Sequence, residues 1–501
     1  MTCENLYRLL DPSVAADSAT VLLTADGTAW SRADLRAAAG RMAALLAAAG
    51  IAPGDRVAVQ VEKSPQALGL YLACLKIGAV FLPLNPGYTP REVQAFLEDA
   101  EPAVLVAGVA AAQALAATGK SLPRLFTLDP DGTGTLAAES ARLAPRTEVT
   151  PRAADDLAAI LYTSGTTGRA KGAMISHGNL AFTTRTLNDL WCITASDVLL
   201  HVLPVFHAHG LFVAAQSALA AGAVMHFLPK FTPEAVLDLL PRATLFMGVP
   251  TLYARLLADP RLTREACAGM RLFTCGSAPL SGEMLGAFAA RTGHTILERY
   301  GMTETAIIAS NPLDGARVAG SVGYALPGVD VRAADGEGRP VPAGEVGGIE
   351  IRGPNLFKGY WRMPERTAAE MRPDGFFITG DLGRRDADGR ITLVGRSKDL
   401  IISGGYNVYP SEVEGVLARI PGVREAAVVG VPHADFGEGV IAVIERGPEG
   451  AGLDAVAVTD AAARDLARYK LPRRLEVMNV LPRNATGKVL KFELRKTFGG
   501  A

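Results

Sequence analysis

Residues 162–172 read Tyr-Thr-Ser-Gly-Thr-Thr-Gly-Arg-Ala-Lys-Gly and follow the apolar run Leu157-Ala-Ala-Ile-Leu161. Three glycines, four Ser/Thr hydroxyls and two cations in this stretch exceed what a plain turn requires. A buried strand opening into such a loop presents bare backbone N–H groups to phosphate oxygens. The loop is not that of kinases and GTPases, which needs a glycine, four spacers and then Gly-Lys-Ser/Thr. Four spacers after Gly165 stands Ala170, and Lys171 is followed by Gly172 rather than a hydroxyl residue. The stretch reads as a nucleotide clamp of another type.

Around it, short apolar runs alternate with helical patterns. Val57–Val61, Ala79–Leu84, Val198–Val202, Ala223–Phe227, Ala243–Phe246, Leu272–Cys275 and Thr295–Glu298 read as strands. This rhythm predicts an α/β fold of helix-covered, mostly parallel sheets. Ligands of such sheets bind at the carboxyl ends of the strands, where the loop at 162–172 and Gly276-Ser-Ala-Pro-Leu280 both fall. From about residue 315 the texture changes to short strands separated by Gly and Pro, as at Gly348–Arg352 and Ile391–Val394. A small antiparallel, barrel-like β unit is expected there. After Arg396 the pattern turns mixed: Ser411 and Glu414 have capping-box spacing after Pro410, and strands are expected at 426–430 and 440–444. The predicted organisation is a large domain over 1–396 and a small α+β domain over 397–501. The Ala-rich stretch 107–117 reads as plain helix.

Composition narrows the function classes. Fifty basic residues balance 51 acidic ones, and 49% of the chain is hydrophobic, an ordinary globular composition. No charge excess points to nucleic acid or to a polybasic membrane surface. The five cysteines are scattered without a CxxC pair, which argues against zinc and disulfide frameworks. The first residues lack a signal-peptide pattern, no apolar run reaches spanning length, and the tail Thr-Phe-Gly-Gly-Ala is not a peroxisomal address. The expectation is a cytoplasmic enzyme without a membrane span.

Four further motifs complete the site. Tyr300-Gly-Met-Thr-Glu304 follows a predicted strand. Thr379-Gly-Asp381 sets a carboxylate after a glycine turn. Gly395-Arg-Ser-Lys-Asp399 precedes Ile402-Ser-Gly-Gly-Tyr-Asn407, and Asn484-Ala-Thr-Gly-Lys488 lies near the end. With these motifs in order from about residue 20 to 495, the sequence closely resembles the acyl- and aryl-adenylate-forming superfamily. That superfamily includes acyl-CoA synthetases, firefly-type luciferases and peptide-synthetase adenylation domains. Within it the chain looks closest to the malonyl-CoA/methylmalonyl-CoA synthetases.

The resemblance implies two half-reactions, in which a carboxylate attacks the α-phosphorus of ATP and CoA thiol then displaces AMP. It implies ATP, Mg²⁺ and CoA as the small molecules used. Thr163, Ser164, Gly165, Thr166, Thr167, Gly168 and Lys171 would hold the phosphates, Thr303 the α-phosphate, and Glu304 the Mg²⁺. Gly276, Ser277, Ala278, Tyr300 and Gly301 would flank the adenine, and Asp381 and Arg396 the ribose. Lys488 would steady the charge of the adenylation transition state. Ser403, Gly404, Gly405 and Tyr406 would line the pantetheine tunnel, and Lys398 sits at the hinge position of a rotating C-terminal domain. Related synthetases are controlled by lysine acetylation, so Lys488 would be a target for a protein lysine acetyltransferase, which would remove its charge.

Arg299, directly before the Tyr-Gly-Met-Thr-Glu motif, speaks to the acyl group. A buried guanidinium is costly unless paired, and a second carboxylate on the substrate would pair with it bidentately. Malonyl-CoA synthetases carry this Arg-Tyr-Gly-Met-Thr-Glu run, which implies a dicarboxylic acid substrate, malonate or methylmalonate. Arg299 could instead pair with its neighbour Glu298. His207 in Phe206-His-Ala-His-Gly210 could be pocket wall or participant; Ser277 could add a hydroxyl, and Met302 would help set pocket volume. A fatty-acyl or aryl-CoA ligase is the alternative. A peptide-synthetase domain would place an Asp near Phe206.

Overall fold

Most parallel strands of this chain are followed by a helix, and the helices begin and end on recognisable signals. Ser64 caps the helix Pro65–Ile77 by accepting from the Ala67 N–H, and Gly78 ends it in the left-handed region. Thr89 and Glu92 form a reciprocal capping box at the start of Pro90–Ala100. Such caps satisfy the orphan donors of a first turn. The computed structural model describes residues 4–11, 17–163, 170–404, 406–433, 436–447, 450, 453–484 and 487–499.

Two sheets form the large N-terminal part. In the six-stranded sheet, Arg124–Thr127, Val104–Ala107, Arg56–Gln60, Val80–Pro83 and Leu157–Thr163 are neighbours in that order and run parallel. Lys171–Ser176 closes the edge as an antiparallel partner of Leu157–Thr163. This pairing sets Thr163 opposite Lys171. In the thirteen-stranded sheet, Thr20–Leu23, Val224–Phe227, Val198–His201, Leu245–Gly248, Leu272–Cys275 and Leu297–Tyr300 are successive parallel neighbours. Through Ala309–Ser310 this sheet continues into antiparallel strands Ser321–Ala325, Ile391–Arg396, Phe377–Arg385, Val346–Arg352 and Asp330–Ala334. The parallel strands are buried along nearly their whole length, as strands covered on both faces must be.

Residues beyond 400 pack around cores of their own, built on Ile401, Val413, Leu417, Val428, Val440 and Ile444 on one face and Val429, Ile441, Leu481 and Leu494 on the other. Val423–His433 and Gly437–Arg446 form an antiparallel pair that carries Arg474–Met478 in parallel. The expected capping box at Ser411 is not formed. Pro410 takes the first helical position of Pro410–Leu417, so Ser411 lies inside the helix and its hydroxyl donates to the Val394 carbonyl. The Glu414 carboxylate accepts from the Val428 N–H at 2.7 Å and pairs with Lys491 at 2.6 Å instead. Among the described residues no helix is long and apolar enough to cross a membrane.

Candidate active site

The carboxyl ends of Leu245–Gly248, Leu272–Cys275 and Leu297–Tyr300 deliver Gly248, Gly276-Ser277-Ala278 and Tyr300–Glu304 to one edge. Beneath them Phe246, Tyr253, Phe273 and Phe288 pack edge to face at 4.9–6.2 Å. Such pairs contribute about 0.5–1.5 kcal/mol each beyond their buried area. Tyr253 Oη also donates to the Thr274 carbonyl at 2.7 Å, tying this floor to the strand that ends at the Gly276 turn. Ser277 sits at φ +70°, a conformation that non-glycine residues seldom adopt outside constrained sites. Gly301 has no alternative: a Cβ there would stand 1.9 Å from the Ala306 carbonyl oxygen.

Residues that are far apart in sequence converge here. Tyr300 Oη donates to Asp381, and Arg396 Nε pairs with the other Asp381 oxygen at 2.6 Å. Lys488 faces the same pair: more than a third of its surface reaches solvent, yet the cleft around its ammonium and the nearby Arg396 guanidinium lower its pKa, opposed by Asp381. Its turn is held by Asn484 Oδ1, which accepts from the Lys488 N–H at 2.9 Å. A Cβ on the adjacent Gly487 would lie 3.2 Å from Thr251 Oγ1, so this C-terminal turn abuts the helix Pro250–Leu257 of the large body. Lys398, in the short 3₁₀ turn Ser397–Asp399, has its pKa lowered by burial.

Glu304 is 5% exposed, and burial raises its pKa against a hydrogen bond from Tyr360. Tyr360 Oη lies 2.9 Å from Glu304 and 2.7 Å from Glu370. Lys171 reaches Tyr360 Oη at 3.1 Å and Glu370 at 3.3 Å. The loop lysine and the buried carboxylate thus meet through a tyrosine and a second carboxylate that the motifs did not single out. Thr163 ends the strand with its hydroxyl toward the Lys171 carbonyl at 3.4 Å. Ser164, Gly165, Thr166, Thr167 and Gly168 lie outside the described residues, as does Gly405. Thr303 is half-buried, and Met302 packs half-buried on the main core.

Arg299 is 4% exposed, with Nε and Nη2 lacking any partner among the described residues. Burial pulls its pKa down to about 10. It does not pair with Glu298. Successive side chains of a strand face opposite sides, and Glu298 accepts instead from the Leu280 N–H at 3.2 Å, with burial pushing its pKa up to about 7. His207 and His209 stand in the field of Arg299; burial first, and that guanidinium second, put His207 at about 4 and His209 well below the usual range. His209 Nδ1 is 3.4 Å from Ser277 Oγ, and its N–H donates to His207 Nδ1 at 3.2 Å.

The segment bearing these imidazoles is fixed from behind. His201 Nε2 meets the Gly210 carbonyl at 2.8 Å, while buried Lys63 donates to His201 Nδ1 at 2.7 Å and to its carbonyl at 2.8 Å. A Cβ on Gly210 would come 2.0 Å from the Pro204 carbonyl oxygen. The hairpin carrying Ser403, Gly404 and Tyr406 makes its contacts within the C-terminal residues: Ser403 pairs with Gly437, the Gly404 N–H donates to the Phe436 carbonyl at 2.9 Å, and Tyr406 stacks on Tyr469 at 4.8 Å.

A sheet edge with paired Thr163 and Lys171, a carboxylate–guanidinium pair and a lysine brought in by a small second domain defines an adenylate-forming enzyme. The family model for AMP-binding enzymes matches residues 11–361, and that for the AMP-binding enzyme C-terminal domain matches 412–488. The chain belongs to this family, among its acyl-CoA ligases. It is 38% identical to a feruloyl-CoA synthase from an Amycolatopsis species, over 94% of this chain and 95% of that one. It is 35% identical to a malonate–CoA ligase from Arabidopsis thaliana, over 89% of this chain and 79% of that one. Its fold superposes on ATP-bound MatB from Rhodopseudomonas palustris with a TM-score of 0.97 at 51% identity, covering 99% of each chain.

Proposed function

We propose that this enzyme is an AMP-forming dicarboxylate–CoA ligase that converts malonate, and methylmalonate, to the CoA thioester through an acyl-adenylate. The observation that carries the reading is Arg299: a buried guanidinium with two N–H-bearing nitrogens that no carboxylate among the described residues receives. The distal carboxylate of a diacid supplies the missing partner as a charge-assisted bond of about 1.5–3 kcal/mol. A monocarboxylate leaves the cation unpaired, so rejection follows from the same group. The similarity to a malonate–CoA ligase and to MatB supports this reading. The similarity to feruloyl-CoA synthase favours an aryl-CoA ligase, for which a naked guanidinium in the acyl wall has no use.

ATP binds with its triphosphate on residues 163–171 and its ribose on Asp381 and Arg396, which already form a short pair. Glu304, a single buried carboxylate, would hold Mg²⁺ together with substrate phosphates, and the bound ion would lower the repulsion between nucleotide and incoming carboxylate. Lys488, facing Asp381 and Arg396, steadies negative charge at the α-phosphate in the first half-reaction. In the proposed cycle the arrangement with the Lys488 turn beside Thr251, and Ser403 paired with Gly437 in its own domain, serves adenylation. Thioester formation then requires the C-terminal domain to turn about Lys398 and bring that hairpin to CoA. Acetylation of Lys488 would remove the charge that the first step uses. ATP- and CoA-dependent turnover of malonate, methylmalonate, succinate, acetate and butyrate tests the reading: it stands on a strong diacid preference and falls on preference for a monoacid.

A further inference from the structure

The same pocket holds a second unpaired donor. His209 is 4% exposed, and its Nε2 has no partner among the described residues. Ser277 Oγ lies 3.4 Å from Nδ1; with the hydroxyl donating there, the ring proton sits on Nε2, a buried donor with nothing to receive it. Burial and the Arg299 charge keep the ring neutral, so it can donate but adds no second cation. Groups bearing on it are Arg299, His207 and His201, with Lys63 behind His201. Glu298 is turned to the other face of its strand.

The backbone that carries this ring is held in place. Its backbone N–H is tied to His207 Nδ1 at 3.2 Å. The next residue, Gly210, is fixed through its carbonyl by His201 and crowded by Pro204. The Arg299 guanidinium packs on Gly276, where a Cβ would lie 2.5 Å from Nη1, and His209 meets the following residue, Ser277. Two orphan donors are therefore held on neighbouring residues of one turn. A carboxylate has lone pairs for both, whereas a methyl or aryl group has none.

We infer that His209 is a second specificity contact for the substrate's distal carboxylate, donating its Nε2–H beside Arg299. This rests on the dicarboxylate reading above. A pocket built so reads the carboxylate on two sides, and an analogue lacking it leaves both donors unpaired.

The test compares kcat/KM for malonate and butyrate in wild type, His209→Leu, His209→Gln and Arg299→Ala, with ATP and CoA saturating. Loss of the donor in His209→Leu is expected to lower the malonate-to-butyrate ratio by about 10–100-fold, chiefly through the malonate KM. His209→Gln, which keeps an amide donor, is expected to restore most of that ratio. If His209→Leu does not fold, His209→Phe serves as the donor-free ring. An unchanged ratio, or equal losses on both substrates, would overturn the inference. If Arg299→Ala destroys the preference and His209→Leu leaves it intact, the inference fails while the dicarboxylate reading stands. If wild type shows no diacid preference, both fail.

Discussion

The Arg299 guanidinium lies flat against the backbone of Gly276: a Cβ at that glycine would stand 2.5 Å from Arg299 Cζ and 2.6 Å from Nε. The strand that ends at Cys275 thus leaves a gap one methyl wide, and the neighbouring strand fills it with a cation. Gly276→Ala forces the guanidinium to move. The expected result is a malonate KM raised by roughly 10-fold or more, since a displacement on the 1 Å scale is enough to spoil a bound geometry. Steady-state kinetics with varied malonate measure it.

Tyr360 holds the Glu304 carboxylate and shares a network with Glu370 and Lys171. Tyr360→Phe removes a hydrogen bond to a charged acceptor, an interaction of about 1.5–3 kcal/mol. ATP–pyrophosphate exchange across a Mg²⁺ titration is expected to show a shifted Mg²⁺ requirement and adenylation slowed by about 10–100-fold. Unchanged Mg²⁺ dependence would mean that Glu304 needs no such support.

Glu298 gives a pH dependence with a definite sign. Its carboxyl, buried beneath the Gly276 turn, has its pKa raised from 4.5 to about 7. The folded protein therefore holds this proton more tightly than the unfolded chain, and stability falls as pH rises from about 4.5 to 7. The loss is at most about 3 kcal/mol. Glu298→Gln keeps an acceptor for the Leu280 N–H without the charge. Its Tm is expected to exceed that of wild type at pH 8 and to converge with it near pH 4, as followed by differential scanning fluorimetry.

Lys488 approaches the Asp381–Arg396 pair only because the C-terminal domain sits against Thr251. Lys488→Ala is expected to lower the rate of acyl-adenylate formation by at least about 100-fold. Thioester formation from supplied acyl-adenylate should be retained, because that step uses the other pose. Equal loss of both half-reactions would contradict the two-pose account.

Much of the architecture is legible in the amino-acid order alone. Apolar runs locate most of the parallel strands to within about two residues, because strands buried on both faces are nearly continuous in apolar residues, but Thr20–Leu23, Val104–Ala107 and Arg124–Thr127 are not among those runs. Motifs at strand tips mark Gly276 and Tyr300 because the sheet brings its carboxyl ends together, whereas Asp381 lies mid-strand in Phe377–Arg385, opposite Arg396. What the pattern does not reveal is non-local or stereochemical. Tyr360 and Glu370 join Lys171 from 189 and 199 residues away in sequence, a distance no spacing pattern can span. Glu298 is next to Arg299 in sequence and so a candidate partner, but the two-residue period of a strand sends it to the other face. The Ser411 box fails because Pro410 already occupies the first helical position. The Phe206-His-Ala-His-Gly210 run points to His207 and carries no mark that singles out His209; burial of the second imidazole and its orphan nitrogen are visible only in three dimensions.

The central claim is that Arg299 selects a second carboxylate, and the most direct measurement is the malonate-to-butyrate ratio of kcat/KM in wild type and Arg299→Ala. The account predicts a strong malonate preference in wild type that collapses by about 10–100-fold or more in the variant. A monoacid preference in wild type, or a ratio that Arg299→Ala leaves unchanged, would contradict it.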